Sequence, residues 1–200
     1  MHAAGNIDPL DGIVPARAEY VNHKGYNTLS VGSHDEAFAI DTSSVFRNPS
    51  SPHGDRELPE ISANGTSIAA EGLSLDGTSF AAPAVSGVAA LIQETAPTLV
   101  QWPEGCRAIL PAAAGPRHSA RTWWQDIVDH VDGVDGAGAL NAEESFLVAQ
   151  GRSARNAAPM PRAWDVGELK AQDFGATSQT VFNYRLSVPN RQRRAPHHHL

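Results

Sequence analysis

Apolar positions along the chain follow two periods. From Ser79 to Glu94, Ala82, Val85, Val88, Ala89 and Ile92 fall three and four residues apart, which predicts an α-helix. Ala81, Ala82, Ala84, Gly87, Ala89 and Ala90 make it slender, so burial on nearly all its sides is expected. Thr78 or Ser79 can cap its start, and Pro83 sits in the first turns, where a missing N–H costs least. Weaker helical patterns cover Glu104–Ala113 and Asn141–Gln150. Short buried runs predict strands at Tyr26–Ser33, Ala37–Ile40 and Glu60–Ala63, and Met1–Asn6 reads as a strand end entering a Gly-containing loop. Asn64-Gly65 reads as a turn and Thr66–Leu75 as a hairpin. Arg47–Leu58, rich in Pro, Ser, Asp and Gly, reads as a surface loop.

After Gly151 the pattern changes. Asn156–Pro161 is rich in Ala and Pro, and Val181–Val188 alternates as a strand does. The expected organisation is one α/β unit over 1–151, a linker at 152–162, a small β extension over 163–190 and a tail at 191–200. A length of 200 residues suits one domain with a small appendage. The 41% hydrophobic content supports a core, and the 6% aromatic content with abundant Ala and Gly suits close helix-on-sheet packing. A net charge of −7 argues against nucleic acid as a partner, and the basic tail reads as a solvated end. No apolar run reaches the roughly 18 residues that would span a membrane. Met1–Asn6 lacks the basic start and apolar stretch of a signal peptide. Cys106, the single cysteine, cannot form an internal disulfide; beside Arg107 and before Ala-Ile-Leu it reads as a packed helix residue rather than a nucleophile. His197–His199 could be a tag or a metal-binding tract.

The chemistry centres on Gly77-Thr78-Ser79-Phe80-Ala81-Ala82-Pro83. A serine at a helix start is accessible and lies in the positive field of the helix dipole. It becomes a nucleophile only with a base to take its proton and donors to hold the oxyanion; otherwise it is a plain helix cap. The string Gly-Thr-Ser-x-Ala-x-Pro, followed by Ala84-Val85-Ser86-Gly87-Val88-Ala89-Ala90-Leu91-Ile92, resembles the catalytic-serine segment of subtilisin-like serine proteases. Ala3-Ala4-Gly5-Asn6 resembles that family's oxyanion-asparagine loop, and Asn27–Ser33 the strand that follows it. Pro59–Gly65 resembles its Pro-Asp-Val-x-Ala-Pro-Gly, with Asn64 where Pro is usual, and Asp135–Ala142 the run into its last helix. The resemblance covers about residues 1–150.

The resemblance implies part of a doubly wound parallel sheet, Ser79 as nucleophile, and Asn6 as oxyanion donor beside the Ser79 backbone N–H. Ala3, Ala4 and Gly5 would form part of the wall around the substrate residue before the scissile bond. It implies peptide or protein substrates and no obligatory cofactor. Calcium is common in the family, but Asp126, Asp129, Asp132 and Asp135 miss the calcium-loop spacing and read as a solvated acidic stretch. Trp123-Trp124 beside them reads as a packed helix edge rather than a ligand platform.

The family places its Asp and His before the asparagine loop, in the order Asp, His, Ser. Only five residues precede Asn6 here. Asp41-Thr42-Ser43 lacks the glycine of an Asp-Ser/Thr-Gly motif, and His53-Gly54 continues as Asp55-Arg56. None of His23, His34, His118 and His130 has the context of a base. The expectation is that an N-terminal half carrying Asp and His is missing, and that the isolated chain is inactive and marginally stable. The alternative is a non-catalytic peptide-binding remnant. An α/β-hydrolase esterase is disfavoured, because Gly77-Thr78-Ser79-Phe80-Ala81 lacks the elbow's final glycine.

Overall fold

The structure is a computed structural model that describes residues 1–7, 25–46, 58–115, 136–154, 157–158 and 160–167. The fold is α/β. Strands β1 (His2–Ala3), β2 (Ser30–His34) and β3 (Ile61–Asn64) form a parallel sheet in that order. Register runs through Ala3, Val31 and Ile61. Residues 137–140 run beside the far edge of β3. Ala137 and Leu140 donate to the carbonyls of Glu60 and Ser62, and Ser62 N–H donates to Gly138. All five residues of β2 are buried, as expected for a strand flanked on both sides in a parallel sheet.

The sheet packs against α1 (Thr78–Thr95), through Ala81, Val85, Val88 and Ile92. That stripe, spaced by four, three and four, meets Val31, Ile61 and Ala63. A 3-10 turn (Pro97–Val100) then leads to α2 (Pro103–Ala112), and α3 (Ala142–Gln150) closes the layer. Leu99, Cys106, Ile109, Leu110 and Ala149 complete the main core. A smaller cluster of Ala4, Val45 and Leu58 lies apart from it. Asn141 caps α3, its side-chain oxygen accepting the Glu144 N–H at 3.0 Å. Arg107 on α2 pairs with Glu60, whose other carboxylate oxygen accepts the Ser30 N–H.

Several expectations are corrected. Tyr26–Ser33 is not all strand: Thr28 folds back on the Gly25 carbonyl through both its N–H and its hydroxyl, and β2 begins at Ser30. Ala37–Ile40 is a tight reversal. The Asp35 carboxylate accepts the Ala39 N–H at 2.8 Å, Phe38 takes a φ of 65°, and only Ile40 returns to bridge His34. A local carboxylate thus outcompetes the strand ladder. Asn64 is the last residue of β3 and also opens the turn, its side-chain oxygen accepting the Thr66 N–H at 3.3 Å, and the hairpin forms as β4 (Ile68–Ala70) and β5 (Leu73–Leu75). Helix α1 is buried along one stripe, not all round: Ala84, Gly87 and Ala90 are exposed, and Leu91 is 55% exposed. Nor do Thr78 or Ser79 cap it; Gly77 holds the cap position and has no side chain to contribute.

Past Gly151 the chain returns to the core. Trp164 is buried, its indole N–H donates to the Ala149 carbonyl at 2.8 Å, and its backbone exchanges hydrogen bonds with Gly151 and Ser153. Arg152 lies over its ring. The alternating stretch Val181–Val188, the Trp123-Trp124 pair, the acidic Asp126–Asp135 stretch and most of the loop after Arg47 lie outside the described residues. Among the described residues, no helix is long and apolar enough to cross a membrane.

His34 ends β2 in a buried position, its Nδ1 2.7 Å from the Asp35 carbonyl and its ring 5.6 Å from Phe38. Burial lowers its pKa, against a weaker opposing pull from Asp35. The folded state therefore favours neutral imidazole. This contribution is present above the unfolded histidine value of about 6.5 and is lost as pH falls toward the lower folded value. Wild type is expected to lose more stability than His34→Gln between pH 7.5 and pH 5.5, read from unfolding midpoints. In denaturant titrations, Trp164→Ala is expected to cost about 3–5 kcal/mol, the range for deleting a buried aromatic. A loss below about 1 kcal/mol would mean Trp164 is not part of the core.

Candidate active site

The carboxyl ends of parallel strands are where an open α/β sheet places its site, and three sequence-distant segments converge there. At the end of β1 the chain turns through Gly5 into Asn6. The end of β3 runs into Gly65, whose carbonyl accepts the Gly77 N–H at 2.7 Å. Gly77 then delivers Thr78 and Ser79 into the first turn of α1. Two glycines permit this convergence. A Cβ on Gly65 would stand 2.6 Å from the Gly77 carbonyl oxygen and 2.7 Å from Ser33 Oγ. Gly77 has φ 140°, a region that side chains disfavour, and its Cβ would press within 3.2 Å of the Asn6 amide.

The junction between the loop and the helix is a compact hydrogen-bonded knot. Asn6 Oδ1 accepts from Thr78 N–H at 3.1 Å and from Thr78 Oγ1–H at 2.8 Å. Thr78 Oγ1 in turn accepts the Gly5 N–H at 3.1 Å. Asn6, 72 residues away in sequence, therefore supplies the cap that the helix's own N-cap residue does not. The Thr78 backbone N–H can only donate, so the amide orientation is settled by chemistry: its oxygen faces Thr78 and its nitrogen faces outward. Nδ2 donates one proton to Ser43 Oγ at 2.8 Å. Thr78 is fully buried, while Asn6 and Ser79 are exposed.

Ser79 is the second residue of α1, an 18-residue helix with no acidic residue in its first turn. The positive end of the helix dipole is thus not offset from within that turn. No described histidine is hydrogen-bonded to the Ser79 hydroxyl. The carboxylate of Asp41 is turned onto the Ser43 N–H at 2.8 Å and closes a turn. His53, His23, His118 and His130 lie outside the described residues. Ala3 is half-buried on β1; Ala4 and Gly5 are buried. Both Gly5 backbone groups are used by the scaffold, the N–H on Thr78 and the carbonyl on Val45.

Cys106 is packed in the main core, and burial pushes its thiol up, which keeps it protonated at neutral pH. Among the described residues, no three His, Cys, Asp or Glu side chains are grouped to hold a metal ion. Sequence reasoning singled out Asn6 and Ser79 but missed the roles of Thr78 and Ser43. Thr78 lay inside the motif. Ser43 carried only the turn signal of Asp41-Thr42-Ser43.

A parallel-sheet α/β domain with an exposed serine in the first turn of a helix packed on the sheet, tied to an asparagine loop, is the architecture of a subtilisin-like domain. A sequence model of the subtilase family matches residues 1–146, and the chain belongs to that family. No curated protein matches significantly. Among solved structures, the chain is similar to the patellamide maturation protease PatA at 28% identity, covering 62% of this chain and 44% of that one, with a TM-score of 0.45. It is similar to the prenylagaramide maturation protease PagA at 27% identity, covering 72% and 48%, with a TM-score of 0.44. A protease from Pseudoalteromonas arctica PAMC 21717 matches at 19% identity, covering 74% and 41%, with a TM-score of 0.47. The chain spans less than half the length of each of these proteins.

Thr78→Val keeps the shape of the knot but strands the Gly5 N–H and removes one donor from Asn6. It is expected to cost about 1–3 kcal/mol in denaturant unfolding, and Thr78→Ser less than half of that. Equal losses for the two variants would assign the effect to packing rather than to the hydroxyl.

Proposed function

We propose that this chain is the serine-bearing part of a subtilisin-like serine endopeptidase that cleaves peptide bonds through an acyl-enzyme. Ser79 is the nucleophile. Its Oγ attacks the scissile carbonyl carbon and its proton passes to a histidine base, which then protonates the leaving amine. Water afterwards hydrolyses the Ser79 ester. The oxyanion is held by the Asn6 Nδ2–H and the Ser79 backbone N–H, within the field of the α1 N-terminus. Ala3, Ala4 and Gly5 form part of the wall beside the substrate residue preceding the scissile bond. The histidine and its orienting aspartate come from a segment outside this chain that docks against it, and without that segment the chain is inactive.

One observation carries the reading: the Asn6 amide oxygen is bonded directly to the first residue of the Ser79 helix, and its nitrogen, which gives one proton to Ser43, faces outward. One observation favours a second reading, peptide binding without turnover: this sequence carries neither an Asp-Ser/Thr-Gly nor a His-Gly-Thr motif.

A fluorophosphonate probe separates the two. In the full-length protein that supplies the base, Ser79 is expected to be labelled and Ser79→Ala to remain unlabelled. Asn6→Ala is expected to slow labelling by roughly 100- to 1,000-fold, the range for losing one oxyanion donor. Peptide binding in the full-length protein with no labelling of Ser79 would establish the non-catalytic reading instead.

A further inference from the structure

The Asn6 amide has four hydrogen-bonding valences: two lone pairs on Oδ1 and two protons on Nδ2. Both lone pairs are taken by Thr78. One Nδ2 proton is taken by Ser43 Oγ at 2.8 Å. Among the described residues nothing takes the second Nδ2 proton, and the planarity of the amide fixes its direction once the other three bonds are made. Thr78 alone leaves a hinge, because both its bonds end on the same oxygen and the amide plane can rock about them. The Ser43 bond acts at the opposite end of the group and removes that freedom.

Ser43 is itself held by a short clasp. Ile7 N–H donates to the Ser43 carbonyl at 2.9 Å and Val45 N–H to the Gly5 carbonyl at 3.2 Å, so residues 5–7 and 43–45 grip each other on both sides of the Asn6–Ser44 bridge. Asp41 fixes the turn through the Ser43 N–H, and the Ser44 hydroxyl accepts the Ser33 N–H from β2. Val45 is fully buried with Ala4 and Leu58, which anchors the clasp in an apolar cluster. The turn that carries Ser43 is therefore built from the sheet outward, independently of α1.

We propose that Ser43 is a positioning residue that aims the remaining Nδ2–H of Asn6 at the oxyanion. This rests on the oxyanion role assigned to Asn6 above. In this role Ser43 acts through the amide, by its bond to Asn6 Nδ2. A preorganised donor stabilises the developing charge without reorganisation at the moment of reaction, and a rocking amide loses part of that advantage.

The test uses the full-length protein and the fluorophosphonate probe. Ser43→Ala is expected to lower the maximal inactivation rate constant about tenfold, less than loss of the donor itself, while the probe's inhibition constant changes less than twofold. Ser43→Thr retains the hydroxyl and is expected to restore the wild-type rate. In 15N-labelled protein, one Nδ2 proton of Asn6 is expected to be protected from solvent exchange in wild type and Ser43→Thr, and unprotected in Ser43→Ala. A slow Asn6→Ala beside an unchanged Ser43→Ala would overturn the role of Ser43 and leave that of Asn6 standing. An unchanged rate in Asn6→Ala would overturn both. Loss of rate in Ser43→Thr equal to that in Ser43→Ala, with the Nδ2 proton still protected, would assign the effect to packing and overturn the proposal.

Discussion

The bonds from Thr78 to the Asn6 side chain are the constraint on which the rest of this structure depends. They join the end of the edge strand to the start of the central helix, two elements 72 residues apart in sequence. A helix start leaves backbone N–H groups without internal partners, and here the N-cap glycine has nothing to offer one of them. Asn6 satisfies that donor from outside the helix. The same contact holds the asparagine upright beside the serine that follows Thr78. Capping and site assembly are therefore one interaction.

That convergence makes demands on the surrounding chain. The strand ends must approach the helix closely, so Gly65 and Gly77 occupy positions where any Cβ would meet backbone or the amide itself. Thr78 is buried where it bridges Gly5 and Asn6, whereas Ser79, the next residue, is exposed. A helix entered at that point satisfies both, because successive residues point about 100° apart around its axis. The buried stripe from Ala81 to Ile92 then fixes the helix on the sheet, and the serine's position follows from it.

Much of this was legible in the sequence. The helix at α1, the hairpin of β4 and β5, and the helices α2 and α3 follow from apolar period and turn chemistry. The motif at Ser79 and the Ala-Gly-Asn loop pointed to the family that the match over residues 1–146 establishes. Most of the misses share one cause, that short side chains bonded where period alone could not foresee it. The Asp35 carboxylate turned a strand-like run into a reversal, and the Thr28 hydroxyl delayed the start of β2. The helix cap was sought within the helix and came from Asn6. Ser43 was invisible, since nothing in the pattern connects it with a residue 37 positions away. The exposure of Ala84, Gly87, Ala90 and Leu91 was also misjudged, because small apolar residues all round a helix permit burial without specifying what covers each side.

The account stands on the claim that Asn6 and Thr78 act as one unit. A double-mutant cycle on Asn6→Ala and Thr78→Val, followed by denaturant unfolding, tests it most directly. Residues joined in one hydrogen-bond network couple by about 0.5–3 kcal/mol, and a coupling in that range is the predicted result. Additive losses, with coupling indistinguishable from zero, would contradict it and leave the asparagine loop and helix α1 as neighbours that do not hold each other.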